Sequence, residues 1–201
     1  MATYGGYPQA AKNRAKAALK HKEEKGTSCG TSVGWTRAKQ LSSGQKLTMS
    51  TVKRTFSFLS RAKTYDQGKF TNDQGKDICG SIMYAAWGGD SMKGWCERTI
   101  NKAEKEKRAA ADTLKKKAED HNEGVDASYK KTTKATLQKV YNRGIGAYKT
   151  NPGSVRPSVK SPEQWAFARV NSYLYALKNE KFRGGKHDTD LFPKGHKLSS
   201  K

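Results

Sequence analysis

Long apolar runs are missing from this chain. Nowhere do about 18 apolar residues follow one another, as a membrane-spanning helix requires. The opening MATYGGYPQAAKNRAKA has basic residues but no apolar core segment, so a secretory leader is not expected either. These two absences predict a soluble protein with no membrane partner. Cysteine is scarce as well. Cys29, Cys79 and Cys96 are odd in number and show no C-x-x-C spacing. That usage argues against a disulfide framework, fits a reducing compartment, and predicts free thiols that are buried or half-buried. A zinc site built from them with His21 has no spacing to support it, and His121, His187 and His196 lie in no nucleophile or metal motif. No cofactor and no metal are expected.

Apolar residues are few, at 34%, and mean hydropathy is −0.95, so the core must be modest. Four Trp and nine Tyr partly offset this, since one aromatic side chain buries roughly 150–250 Å². A length of 201 residues allows one domain or two small ones. Acidic residues are also in short supply: 18 Asp and Glu stand against 40 Lys and Arg, for a net charge of +22 and a pI near 9.9. Self-repulsion on that scale disfavours a compact chain unless a polyanion compensates it. Solubility alone needs far less, so nucleic acid is the first partner to consider.

Periodicity predicts a mainly α fold: two small helical lobes joined by a long charged helix, with irregular Gly/Pro loops between. The expected divisions are an N-terminal helical lobe over 1–96, a charged linker helix over 97–124, a C-terminal helical lobe over 125–182 and a flexible basic tail over 183–201. Pro8 to Glu24 reads as a first helix ended by Gly26. A short helix follows from Val33 to Leu41, with Trp35, Ala38 and Leu41 as core contacts. Gly26, Gly30 and Gly34 invite comparison with a phosphate loop, but the G-K-[ST] ending and a preceding strand are both absent.

The first lobe is organised around Thr51 to Ala62. Val52, Phe56, Leu59 and Ala62 form one apolar line there, while Lys53, Arg54, Ser57 and Arg61 lie on or beside the opposite face. Thr48 or Ser50 is the expected cap, with the helix reaching Tyr65. A polar loop, DQGKFTNDQGKD, leads to a helix carrying Ile78, Ile82, Met83, Ala86 and Trp87. Gly88 and Gly89 close it, and Asp90 or Ser91 caps the next. Trp95 is expected to pack back onto the lobe.

From Lys93 to His121 a thin apolar line of Ile100, Ala103, Ala110, Leu114 and Ala118 predicts a long, mostly exposed helix, a semi-rigid spacer between the lobes. Tyr129, Thr133, Leu137, Val140 and Tyr141 predict a helix ending near Gly144. Ser161, Pro162 and Gln164 form a capping signal for a helix that buries Ala166, Val170, Tyr173, Leu174 and Leu177. Arg54, Ser57, Phe58 and Leu59 are echoed 115 positions later by Arg169, Ser172, Tyr173 and Leu174.

The run GTSVGWTRAKQL, TVKRTFSFLSRAKTYDQGK, ICGSIMYAAWGGD resembles a small basic domain that recurs in tailed-bacteriophage proteins, beside head-maturation protease or other virion modules. The likeness covers about residues 8 to 100. Val33-Gly34-Trp35-Thr36-Arg37-Ala38 and Ala86-Trp87-Gly88-Gly89-Asp90 are its marker phrases. Arg143-Gly144-Ile145-Gly146-Ala147-Tyr148 with Gln164-Trp165-Ala166-Phe167-Ala168-Arg169-Val170 resembles another uncharacterised domain, of phages and large algal DNA viruses. These resemblances imply a viral setting, in the virion or the host cytoplasm. They bring no activity and no catalytic residues.

The candidate contacts to nucleic acid are Arg37, Lys39, Lys53, Arg54 and Arg61 in the first lobe and Lys149, Arg156, Lys160 and Arg169 in the second, beside short helices and Gly/Pro loops where phosphates are gripped. Arg54 and Arg169 adjoin apolar stripes, so each has two open readings: a phosphate contact, or a structural hydrogen bond to a carbonyl or carboxylate. The expected partner is DNA, bound without sequence preference. Virion or capsid proteins with acidic surfaces are the alternative. His187, Asp188 and Asp190 are the only basis for an enzyme, a metal-dependent nuclease, and a Gly-rich tail is a poor scaffold for so demanding a site.

Overall fold

The structure is a computed structural model that describes residues 3–151, 153 and 158–201. The chain is mainly helical and divides into two compact units, 1–105 and 106–201. Among the described residues there are seven α-helices and one short antiparallel pair of strands.

In the first unit, α1 (Gln9–Lys25) begins after Pro8 and ends at Gly26, whose φ of 63° is the left-handed conformation that glycine adopts without strain. Ala11, Ala15 and Ala18 form its buried side, and such small residues let α2 and α4 approach closely. α2 (Ser32–Ser42) is capped by Thr31, whose hydroxyl accepts from the Gly34 amide. It buries Trp35, Ala38 and Leu41 as the spacing predicts. β1 (Thr3–Tyr4) pairs with β2 (Leu47–Thr48), which brings the leader against the start of α3.

α3 (Met49–Ala62) opens on Thr48, whose hydroxyl accepts from the Thr51 amide. Its buried line is Val52, Thr55, Leu59 and Ala62, so Thr55 takes the place expected for Phe56, which is only half-buried. Phe58 stacks on Trp87 with ring centres 4.3 Å apart. That contact rotates the helix toward the 55 and 58 side. A 3-10 turn at Lys63–Tyr65 and a loop bridged at Thr71 and Asp77 lead into α4 (Cys79–Ala86).

The cysteines depart from expectation. Cys29 and Cys79 form a disulfide with Cα atoms 5.1 Å apart, because the loop after α1 and the start of α4 converge across 50 residues of sequence. Spacing along the chain carries no signal of such a meeting. Cys96 is a free thiol, fully buried, and burial pushes its pKa up to about 12.

α5 (Gly89–Glu123) starts at Gly89, ahead of both expected caps, Asp90 and Ser91. Asp90 therefore lies in its first turn instead of capping it, and accepts from the Tyr84 hydroxyl at 2.7 Å and from Lys63 at 2.6 Å. Gly88, at φ 91°, is needed for close approach: a Cβ there would stand 2.7 Å from the Cβ of Met92. Trp95 packs edge-on to Tyr7 at 5.5 Å, as anticipated.

The division between the two units, after residue 105, falls inside α5. Met92 and Cys96 belong to the first core, and Leu114 and Ala118 to the second.

In the second unit, α6 (Lys134–Thr150) is capped by Thr133 and packs on α7 (Pro162–Asn179). α6 runs through Gly144 instead of stopping there. Gly144 is buried, with space for no side chain: a Cβ would lie 2.6 Å from Ala166 Cα. Ser161 accepts from the Gln164 amide at 3.1 Å, while the Gln164 side chain accepts from the Lys160 amide, one residue ahead of a standard capping box. α7 buries Ala166, Val170, Tyr173, Ala176 and Leu177.

Residues 183–201 do not hang loose from this unit. Phe192 is fully buried, stacked on Tyr173 and on His196 at 4.8 Å each, and His196 reaches the Leu177 carbonyl at 3.0 Å. The stacked Phe192 and His196 rings supply apolar area that the Gly-rich, polar composition of this closing stretch does not suggest.

Candidate nucleic-acid interface

Two tracts of the sequence contain no Asp or Glu at all: residues 25–65 and residues 127–162, with eight Lys and Arg in each. One lies in each unit. In the first, α3 has no acidic side chain anywhere along its 14 residues. Its outer face presents Lys53, Arg54, Ser57, Ser60 and Arg61, all exposed. Lys53 meets Glu104 at 3.3 Å, an exposed pair that holds it only weakly. The Arg54 and Arg61 side chains have no hydrogen-bond or ion-pair partner among the described residues. Lys39 is likewise exposed, on α2.

Arg37 is different. It is turned inward and only 8% exposed, with its guanidinium 5.5 Å from the centre of the Trp87 ring and hydrogen-bonded to the side chain of Gln40. Desolvation by burial, then the nearby Arg54 charge, lower its pKa from the ordinary arginine value.

In the second unit Lys149, in the last turn of α6, and Lys160, just before α7, are exposed. Arg156 lies outside the described residues. Arg169 takes its structural reading: Nε donates to Asp188 Oδ2 at 2.8 Å and Nη2 to Oδ1 at 3.1 Å. The structure thus gathers Lys53, Arg54 and Arg61 on one face, turns Arg37 inward, and commits Arg169 to Asp188.

Arg143 is the residue that sequence reasoning missed. It donates to Asp188 at 3.0 Å and grips Asp190 with two bonds of 2.7 Å, the paired geometry that guanidinium and carboxylate favour. Asp188 sits at the centre, its side chain fully buried and its backbone at φ 53°. Burial raises its pKa, but hydrogen bonds from His187, Arg169 and Arg143 outweigh that and hold the carboxyl well below the usual carboxylate range. The cue available in sequence was the pair Asp188 and Asp190 lying within reach of two arginines on adjoining helices. The left-handed turn that aims Asp188 has no such cue.

His187 Nε2 also meets the Ser172 hydroxyl at 2.9 Å, and its Nδ1 meets Asp188 at 3.0 Å. The order Ser, His, Asp is that of a nucleophile relay. Here, however, two guanidiniums already balance the carboxylate, and the relay serves to tie the closing segment onto α7. Both carboxylates considered for a metal are committed to Arg143 and Arg169, and among the described residues no group of three His, Cys, Asp or Glu side chains converges.

Fold and charge define the class: a mainly helical, basic protein of two compact units. For one stretch the comparison goes further, since residues 92–191 match a family described as "Family of unknown function (DUF5824)". The RGIGAY and QWAFARV phrases lie within that span, where an uncharacterised domain was expected. No curated protein and no solved structure matches the chain.

Proposed function

We propose that the protein is a virus-derived, nucleic-acid-associated protein that binds DNA through its phosphates, without sequence preference and without catalysis. The observation that carries this reading is the acid-free outer face of α3, where the Arg54 and Arg61 side chains stand exposed and, among the described residues, unpaired, within a 41-residue tract that has no Asp or Glu. Unpaired cations on a helix that carries no acid find their counter-charge outside the chain, and a phosphate backbone supplies it at regular spacing. The tract over 127–162, with Lys149 and Lys160, offers a second set of contacts. The viral setting rests on the phrases that resemble tailed-phage domains.

A mobility-shift or filter-binding titration at low salt tests the reading. Binding of duplex DNA at micromolar protein is expected, and absence of binding to both DNA and RNA overturns it. The same phage-like phrases favour a second reading, a head-interior virion protein whose basic surface meets acidic protein neighbours. Mass spectrometry of purified particles before and after genome release separates the two. A genome-bound protein leaves with the DNA, and a structural one stays.

A further inference from the structure

Buried polar atoms are nearly always partnered, which makes an orphan informative. Arg37 is 8% exposed, and its Nε has no hydrogen-bond partner among the described residues. Its one side-chain hydrogen bond goes to Gln40, a neutral group, and its other contact is the Trp87 ring. Among the described residues no carboxylate pairs with it. The titratable groups around it are Arg54, Cys96 and Tyr7.

None of these three supplies a negative charge. The Cys96 thiol stays neutral in its buried place, and the Tyr7 hydroxyl is taken up by the carbonyls of Gln40 and Gln45 at 3.1 and 3.0 Å. Arg54 makes matters worse by adding a second positive charge, itself exposed and without an ion-pair partner among the described residues. A buried cation with a like-charged neighbour and no counter-ion is among the costliest arrangements a fold can hold. Arg169 in the second unit shows the contrast, because it is bound to Asp188 on two nitrogens.

We propose that Arg37 and Arg54 form a phosphate-binding site, in which a phosphate oxygen brings the counter-charge that the chain lacks. Arg37 is the fixed receptor, held beside Trp87 and by Gln40 with donors to spare. Arg54, exposed on the outer face of α3, closes on the anion from the solvent side. The guanidinium plane suits two phosphate oxygens at once. The identity of the ligand as a backbone phosphate of nucleic acid rests on the reading proposed above; the site as a receptor for phosphoryl oxygens does not.

The test uses the full chain and its Arg37→Met and Arg54→Gln variants, melted in a phosphate-free buffer and in inorganic phosphate, and titrated with duplex DNA. Inorganic phosphate is expected to raise Tm by several degrees in the wild type and by clearly less in Arg37→Met, which also controls for general salting effects. Without phosphate, Arg37→Met is expected to melt at or above the wild type, since it removes an uncompensated buried charge. DNA affinity should fall about tenfold in either variant, the loss of one charge-assisted contact.

If Arg37→Met melts far below the wild type in phosphate-free buffer and phosphate shifts both equally, Arg37 is a structural strut and the site is wrong. Arg54→Gln changes an exposed residue, so it keeps the test readable where Arg37→Met does not fold. A wild type that responds to phosphate but binds no nucleic acid leaves the site standing and removes the DNA reading. A wild type that binds DNA no better than both variants does the reverse.

Discussion

Asp188 keeps its charge in a place where burial alone would neutralise it, because His187, Arg169 and Arg143 all donate to it. Its folded pKa lies below the unfolded value of about 3.9, so the unfolded state binds the proton more tightly. The stabilisation is present above about pH 4 and is lost as pH falls further. Urea midpoints between neutral and strongly acid pH should show this loss, and Asp188→Asn should flatten it. Asp188→Ala leaves two guanidiniums facing each other and is expected to cost about 3–5 kcal/mol, read by chemical denaturation. Arg54 and Arg169 separate cleanly in the same way: Arg169→Gln should lower Tm and leave DNA binding nearly intact, while Arg54→Gln should do the opposite. Their sequence surroundings are alike, and both readings were open for each. The difference lies in Asp188, which is 19 residues beyond Arg169 and has no equivalent beside Arg54.

At the scale of elements, α6 carries its own control experiment. Gly144 and Gly146 are both helical, yet a Cβ at the first meets Ala166 Cα at 2.6 Å while a Cβ at the second meets nothing within 4 Å. Gly144→Ala should therefore destabilise by about 1–3 kcal/mol through overpacking, and Gly146→Ala should stabilise by roughly 0.5–1 kcal/mol through helix propensity. Thermal melts of the two variants check the pair of signs. The caps at Thr48 and Ser161 were legible because their signals are local, a hydroxyl three residues ahead of an orphan amide. The buried side of α3 was only half legible. Residues 52, 55, 56 and 59 all lie within one wide apolar arc, and which of Thr55 and Phe56 reaches the core is decided by Trp87 and its stack with Phe58, a contact that periodicity cannot express.

Across the whole molecule, the contacts hardest to foresee join distant parts of the chain. The Cys29–Cys79 bond closes a loop of 50 residues. By the chain-entropy argument a loop of that length is worth up to about 4 kcal/mol. Melting with and without reductant should show the loss in the first unit, and thiol titration of the native oxidised protein should find Cys96 unreactive until it unfolds. Charge acts at the same scale. With +22 over the chain, DNA affinity should drop steeply with salt, about a thousandfold between about 50 and about 200 mM for roughly six phosphate contacts.

The 35-residue α5 also divides by what supports it. From residue 97 to residue 113 none of its side chains is buried, whereas Met92 and Cys96 precede that stretch and Leu114 and Ala118 follow it in the two cores. The backbone bonds of that middle stretch depend mainly on helix propensity and a few exposed charges, with only the partial packing of Ile100 and Ala110 to help. Amide deuterium uptake should expose this as a short bright band, exchanging on the timescale of local fraying, while the turns on either side keep their protons until their own unit opens.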